Sequence, residues 1–221
     1  MSTRNGGDVV VETLQALGIT DVFGIPGQHA LGLFDALSRS PLHFYSSRVE
    51  NNAAFAADGY ARATGKPAAL FLSTGPGALT SLAGLQEACA TGVPMIVISS
   101  QTPVAGLGAQ RKGMLHQLDE QKESVRNVTK YQATVQRAAA IPSTLDDAYR
   151  LAMTAPQGPV WVEIPQDILL EAQDFPTGIP AMAVDQPEAS PALVTGAAEL
   201  INAQSTVSVA GGGVRRSGAG E

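Results

Sequence analysis

Residues 68–101 read AALFLSTGPGALTSLAGLQEACATGVPMIVISSQ, and they decide the fold class. The run opens on AALFL, five apolar residues ending at Leu72, and closes on PMIVISS, a second apolar run. Between them lie a Gly/Pro turn and a helical stretch from about Leu79 to Ala90. Neither apolar run alternates with polar residues, so each is expected to be a strand covered on both faces, as in a parallel sheet crossed over by a helix. The same alternation extends both ways. Val10, Leu14 and Leu17 mark one face of a helix from about Asp8 to Gly18, and DVFGIPG follows as a strand and turn. Next come a helix near 29–37, a strand at 42–46, and a long helix from about Val49 to Thr64 that Gly65 ends. Beyond residue 101 a long connection reaches about Leu118. A short helix around 119–128, the strand YQATVQ, the helix STLDDAYRLAMTA and the strand PVWVEIP complete the unit. The expected fold is α/β: a doubly wound, mostly parallel six-stranded sheet with helices on both faces.

A chain of 221 residues exceeds the common single-domain size of roughly 100–200 residues. The expected organisation is a domain over 1–170, a linker over 171–190 rich in Pro, Gly, Ala, Asp and Gln, and the start of a second α/β domain over 191–221. In that last part ALVTGAAELI reads as a helix and TVSVAGGG as a buried strand. A lone helix and strand cannot bury both faces, so the chain is expected to be part of a longer enzyme. Hydrophobic residues at 44% against 15% charged exclude a disordered chain. A net charge of −6 without clustered Lys and Arg argues against a nucleic-acid partner. No apolar run approaches the roughly 20 residues that span a bilayer, and no secretory leader is visible, so no membrane is expected and the cytoplasm is the expected compartment. The single cysteine, Cys89, reads as a small buried hydrophobe.

In open parallel sheets, ligands bind beyond the carboxyl ends of the strands. Four segments fall there: GIPGQH, SSRVEN, STGPGA and SSQTP. Glu50 follows the second strand and opens a helix with an alanine-rich face at positions 53, 54, 56 and 57. A carboxylate there is expected to be partly desolvated, which favours its neutral form and suits proton exchange with a ligand nitrogen. The same position would also favour the helix dipole alone. STGPGA offers glycines and backbone N–H groups that could hold an anion or admit a ring, or could simply turn the chain. It lacks the Lys-Ser or Lys-Thr of a Walker loop, and Gly75-Pro-Gly77 does not complete G-x-G-x-x-G. His29, His43 and His116 do not pair at metal-ligand spacing, so no metal site is expected in these residues. No G-x-S-x-G elbow supports a serine triad.

Taken in order, VFGIPG, RVENNAAFAADGYARATGKPA, LSTGPGALTSLAGLQEA, GVPMIVISSQTP, LHQLDEQ and GPVWVEIPQD resemble the N-terminal pyrimidine-binding domain of thiamine diphosphate-dependent enzymes. The similarity is greatest to the acetolactate synthase-like branch and runs from about Asp8 to Asp167; AGGGVRRSGA is similar to the start of that family's middle domain. The resemblance implies that Glu50 is the catalytic glutamate, which hydrogen-bonds N1′ of the aminopyrimidine and so promotes loss of the thiazolium C2 proton. It implies that Gly24, Ile25, Pro26 and Gly27, together with Thr74, Gly75, Pro76 and Gly77, line the cofactor. It places Gln28, His29, His116 and Gln117 on the substrate side, His116 standing where acetolactate synthases usually carry Phe. Gln28-His29, Asn51 and a longer 101–118 connection depart from the branch near the presumed substrate pocket. The family's G-D-G and paired Asn, which hold Mg²⁺ and the diphosphate, are missing from this sequence and are expected in a C-terminal diphosphate-binding domain.

The implied activity is decarboxylation of a small-molecule 2-oxo acid followed by acyl transfer to an acceptor, by a homodimer or homotetramer, with FAD left open. Two alternatives stand beside it. One is a decarboxylase or lyase of the same family that releases an aldehyde. The other is a noncatalytic nucleotide- or flavin-binding module using AGGGVRRSG as its phosphate loop.

Overall fold

The computed structural model describes residues 4–173, 188–203 and 205–218. In chain order the elements are β1 (Arg4–Asn5), α1 (Gly6–Ala16), β2 (Asp21–Gly24), α2 (Leu31–Ser38), β3 (His43–Ser46), α3 (Glu50–Thr64), β4 (Ala68–Leu72), α4 (Pro76–Leu79) and α5 (Leu82–Thr91). They continue as β5 (Met95–Gln101), α6 (Gln121–Val125), β6 (Tyr131–Thr134), α7 (Ile141–Met153), β7 (Pro159–Pro165), α8 (Gln166–Leu170), β8 (Ala172–Gln173), α9 (Pro191–Ala203) and α10 (Gly212–Arg216). Six strands form one sheet in the order β3-β2-β4-β5-β7-β6, and every neighbouring pair is parallel. The expected doubly wound α/β architecture is therefore present, with a sheet that is parallel throughout.

Side chains on a strand point alternately to the two faces, and each face here has its own apolar layer. Ala69 and Phe71, Ile96 and Ile98, and Val160, Val162 and Ile164 pack with Val10 and Leu14 of α1, Leu33 of α2 and Leu145 of α7. Ala68, Leu70 and Leu72, Met95 and Val97, and Trp161 pack with Ala53, Ala54 and Ala57 of α3 and Leu85 of α5. This double burial is why β4, β5 and β7 read as unbroken apolar runs. The edge strand β3 is different: Phe44 and Tyr45 are exposed, and Tyr45 stacks on Phe23 with ring centroids 5.0 Å apart. Cys89 is half-buried on α5, less enclosed than the sequence suggests.

Helix ends follow local chemistry. The Asn5 side chain accepts from the Asp8 amide at 2.9 Å while the Asp8 carboxylate accepts from the Asn5 amide at 3.0 Å, a reciprocal cap that starts α1. The two-residue strands β1 and β8, which sequence reading does not find, pair antiparallel and tie the start of α1 to residues 172–173.

The chain divides into two compact units, Met1–Val184 and Asp185–Glu221. Most of the expected 171–190 linker lies outside the described residues. In the second unit α9 matches the helix read at ALVTGAAELI, and none of its residues is buried. The strand expected at TVSVAGGG does not form: residues 205–211 carry no strand, and Val207 and Val209 are 90% and 92% exposed. No strand among the described residues of this unit offers a pairing edge, and a strand needs one. No helix of the described residues is long and apolar enough to cross a membrane.

Candidate active site

The site is built where β2, β3, β4 and β5 end, and four close approaches draw their loops together. A Cβ on Gly27 would collide with the Ser73 side chain, so the turn after β2 lies directly against the loop after β4. Gly75 backs onto His116, bringing the 101–118 connection over the same loop. A Cβ on Gly77 would stand 3.2 Å from Glu50 Oε1, so the loop also abuts the start of α3. The His29 and His116 rings lie 6.2 Å apart, centroid to centroid. Gly27, Glu50, Gly75, Gly77, His29 and His116, chosen from separate stretches of sequence, thus fall in one place, with Gly24 ending β2 against Phe71 of β4.

Glu50 is the first residue of α3 and is half-buried, in keeping with the partial desolvation expected from the sequence. Its Oε2 lies 3.2 Å from the Thr80 hydroxyl, whose one hydrogen is shared with the nearer Pro76 carbonyl oxygen, and its Oε1 lies beside the bare Cα of Gly77. A carboxylate accepts through both oxygens, and at this place one is tethered while the other faces a residue without a side chain. Oε1 accepts no hydrogen bond from the described residues and is the oxygen left to take one from a ligand.

Gly75 carries the strained backbone of the loop, with φ 58° and ψ −118°. Only glycine takes that conformation without penalty. Its N–H is already taken, donating to Gln121 Oε1 at 2.7 Å, and α4 has four residues, so the loop is not the open anion cradle that its glycines suggest. Thr74 is fully buried and turns its hydroxyl inward, 2.7 Å from Gln121 Oε1 and 3.1 Å from Gln101 Oε1. Its side chain anchors the loop from below; Gly75 is buried with it, while Pro76 is exposed and Gly77 half-buried. Ile25 is half-buried and Pro26 exposed between Gly24 and Gly27.

On the substrate side, His29 is only 4% exposed and its Nδ1 has no hydrogen-bond partner. Burial, and then the neighbouring His116, hold its pKa below the ordinary histidine value, so His29 is neutral at pH 7. An orphaned buried nitrogen at a strand-end site marks a place where a ligand or water completes the bonding. His116 is exposed and has a positive φ of 56°. Gln28 is exposed at the same turn. Gln117 differs from expectation: Nε2 donates to the Gly106 and Arg111 carbonyls at 2.8 and 2.7 Å, so its amide ties down the 101–118 connection. Asn51, a departure from the branch pattern, spends its Oδ1 on the Gly84 N–H at 3.1 Å and joins α3 to α5.

Two further residues belong to the site and were not singled out from the sequence. Gln121 and Glu163 are 1% and 2% exposed and lie beneath the 73–75 segment. Burial pushes the Glu163 carboxyl above the usual carboxylate range, while donors from Trp161, Gln121 and Thr134 pull it back. A cleft bounded in part by Gln101, Gln121, Thr134 and Glu163 opens beside them. The sequence did hold a signal for Glu163, since a carboxylate inside the apolar run PVWVEIP must find partners if the strand is buried. Among the described residues no group of three or more His, Cys, Asp or Glu is placed to hold a metal.

A sequence profile described as the thiamine pyrophosphate enzyme, N-terminal TPP binding domain, matches residues 4–124, more than half of the chain. The chain belongs to the thiamine pyrophosphate enzyme family. It is 34% identical over 218 residues to a probable 2-ketoarginine decarboxylase of Pseudomonas aeruginosa, covering 98% of this chain and 39% of that protein. It is 35% identical over 222 residues to the large subunit of acetolactate synthase isozyme 1 of Escherichia coli, covering 96% of this chain and 38% of that protein. A probable chloroplastic acetolactate synthase 2 of Oryza sativa is 37% identical over 169 residues, 76% of this chain and 25% of that protein. The chain thus spans about two fifths of the length of the first two relatives. The family implies thiamine diphosphate as cofactor, and the half-buried Glu50 carboxylate, with Oε1 unbonded beside Gly77, is an acceptor of the kind its aminopyrimidine requires.

Proposed function

We propose that this chain supplies the pyrimidine side of a thiamine diphosphate-dependent enzyme that acts on a 2-oxo acid, by acetolactate synthase-like decarboxylation and acyl transfer. The observation that carries the reading is the Glu50 carboxylate, tethered by Thr80 on one oxygen and open beside Gly77 on the other. When bound, thiamine diphosphate supplies the electron sink for breaking a bond next to a carbonyl. The work of this chain is to hold the ring and manage a proton. Glu50 bonds the ring nitrogen, the turns 24–27 and 75–77 bring Gly27 and Gly77, which have no side chain, up to the ring, and Thr74 keeps the second loop down. His29 and His116 stand on the substrate side, with neutral His29 able to donate or accept at one nitrogen. The diphosphate and Mg²⁺ are assigned to a C-terminal diphosphate-binding domain of the family, and the working enzyme to a homodimer or homotetramer. The segment boundaries at about 170 and 190 belong to the same reading.

Similarity to a probable 2-ketoarginine decarboxylase over 98% of the chain favours a second reading, a decarboxylase or other C–C lyase that releases an aldehyde. Product analysis separates the two: coupled acyl products support the first and free aldehyde the second. Both rest on Glu50. Glu50→Gln in the enzyme carrying this chain is expected to slow C2–H/D exchange of bound cofactor by about 10² or more. Exchange at the wild-type rate overturns the assignment.

A further inference from the structure

The loop that abuts Glu50 is held from beneath by a buried hydrogen-bond chain to which the reading above gives no task. Ser99, Glu163 and Thr134 are register partners on the adjacent strands β5, β7 and β6. Parallel pairing in register stands their side chains in a row on one face. Gln121, the first residue of α6, lies against that row. Its Nε2 donates to Ser99 Oγ at 3.1 Å and Glu163 Oε1 at 3.2 Å, and its Oε1 accepts from the Gly75 N–H and the Thr74 hydroxyl, both at 2.7 Å. Ser99 Oγ also lies 2.9 Å from the Ser73 carbonyl oxygen, to which it donates. One amide side chain and one hydroxyl therefore grip residues 73, 74 and 75 in succession.

The orientation of the Gln121 amide is settled by its neighbours. The Gly75 N–H can only donate, so it requires the amide oxygen; the Glu163 carboxylate accepts, so it calls for the amide nitrogen. Glu163 is itself fixed by the Trp161 indole N–H at 3.1 Å and the Thr134 hydroxyl at 3.2 Å. Turning the amide over would set an N–H against the Gly75 N–H and an oxygen against the carboxylate, two unfavourable contacts at once.

We infer that Gln121, oriented by Glu163, is a positioning residue that sets the 73–77 loop, holding Gly75 in its positive-φ conformation and thereby Gly77 against Glu50. The inference rests on the reading that this loop and Glu50 serve the cofactor. The path is short. The amide holds the Gly75 N–H, Gly75 turns the chain, and two residues on the Gly77 Cα meets the carboxylate. Without the acceptor at Gln121 the Gly75 N–H is buried and unpaired, and the loop gains by rotating away to find another partner.

The test is amide hydrogen exchange of Gly75 in the ¹⁵N-labelled 221-residue chain, read against the core amides of Val97 and Ile98. Gln121→Met keeps the length and removes both halves of the amide, and is expected to speed Gly75 exchange by about 10² or more relative to those core amides. Glu163→Leu is expected to do the same at a distance, because it removes the acceptor that orients Gln121; it also removes the acceptor of the Trp161 indole N–H, so the effect is read relative to the core amides. Glu163→Gln keeps an oxygen to accept from Gln121 and Trp161, and is expected to bring Gly75 exchange back to within a few-fold of wild type. A purely structural role would raise the Gly75 and core amides together, and that result overturns the inference. So does a Glu163→Gln variant that behaves as Glu163→Leu. Should Gln121→Met not fold, the wild-type chain still decides: a scalar coupling across the hydrogen bond from the Gly75 nitrogen to the Gln121 side-chain carbonyl carbon is expected, and its absence refutes the bond. These outcomes concern the loop alone and are distinct from failure of the Glu50 assignment, which cofactor C2–H/D exchange decides.

Discussion

Gly75→Ala tests the loop at its most constrained point. Two costs add at this position. The backbone at φ 58° and ψ −118° lies outside the left-handed basin that an alanine tolerates, a strain of about 1–3 kcal/mol. The added Cβ would also stand 2.9 Å from the Cβ of His116, with the His116 carbonyl closer still. Carbon atoms pack at about 3.5–4.0 Å, so the two segments must part by roughly 1 Å, and such overpacking costs about 1–3 kcal/mol more. Gly65→Ala separates the terms. Gly65 also has a positive φ, 72°, but no atom lies within 4 Å of its Cβ position, so only the backbone cost of about 1–2 kcal/mol applies. Urea unfolding followed by fluorescence is a direct assay, because Trp161 is the only tryptophan and is fully buried in the first unit. Gly75→Ala is expected to lose at least about 1.5 kcal/mol more than Gly65→Ala while remaining folded, given typical stabilities of about 5–15 kcal/mol. Equal losses for the two variants would refute the contact between the 73–77 loop and His116 on which the site is built.

Three further outcomes follow from the same geometry. Glu163 has a raised folded pKa, so the native state holds its proton more tightly than the unfolded chain, and its contribution is lost as pH rises from about 4.5 through the folded value; the urea midpoint of Glu163→Gln should gain on wild type over that range. His29 is the opposite case, with a lowered folded pKa, so stability falls as pH drops below 6.5; His29→Asn should lose less on going from pH 7.5 to pH 5.5, measured by the same midpoints. The assembled enzyme should sediment as a dimer or tetramer at micromolar concentration, and a strictly monomeric mass would count against that part of the proposal.

Much of the architecture was legible because a parallel sheet imposes a strong pattern. β4, β5 and β7 are buried on both faces, and Leu70, Phe71, Val97, Ile98, Trp161 and Val162 had to be apolar in sequence as well as alternating in space. The helix starting at Glu50 was read to within a residue, and Gly65 closes it as expected with a left-handed φ. The alanines of α3 allow close packing within the chain: Ala53, Ala54 and Ala57 are buried, and a Cβ on Gly84 of α5 would lie 2.6 Å from that of Ala54. A small-residue stripe records that something packs closely, without recording whose helix it is.

The residues that sequence reading passed over share a physical reason. Apolar burial is read from periodicity, but Gln121 and Glu163 act through directed bonds to partners 46 and 42 positions away along the chain, and no local pattern announces such pairs. Hydrophobic contact alone could not do their work, since it is non-directional and would leave the loop free to choose among several turns of similar burial. A buried amide whose oxygen meets only donors and whose nitrogen meets only acceptors permits one turn and penalises the rest. That asymmetry has a consequence for substitution at this site: shape-preserving changes that remove a bond, such as Gln121→Met, should disturb the loop more than shape-changing ones that keep it. It also gives Glu163 a task in the middle of a buried strand that offsets the cost of desolvating a carboxyl. What the carboxyl contributes is the direction in which Gln121 points, and through it the place where Gly77 meets Glu50.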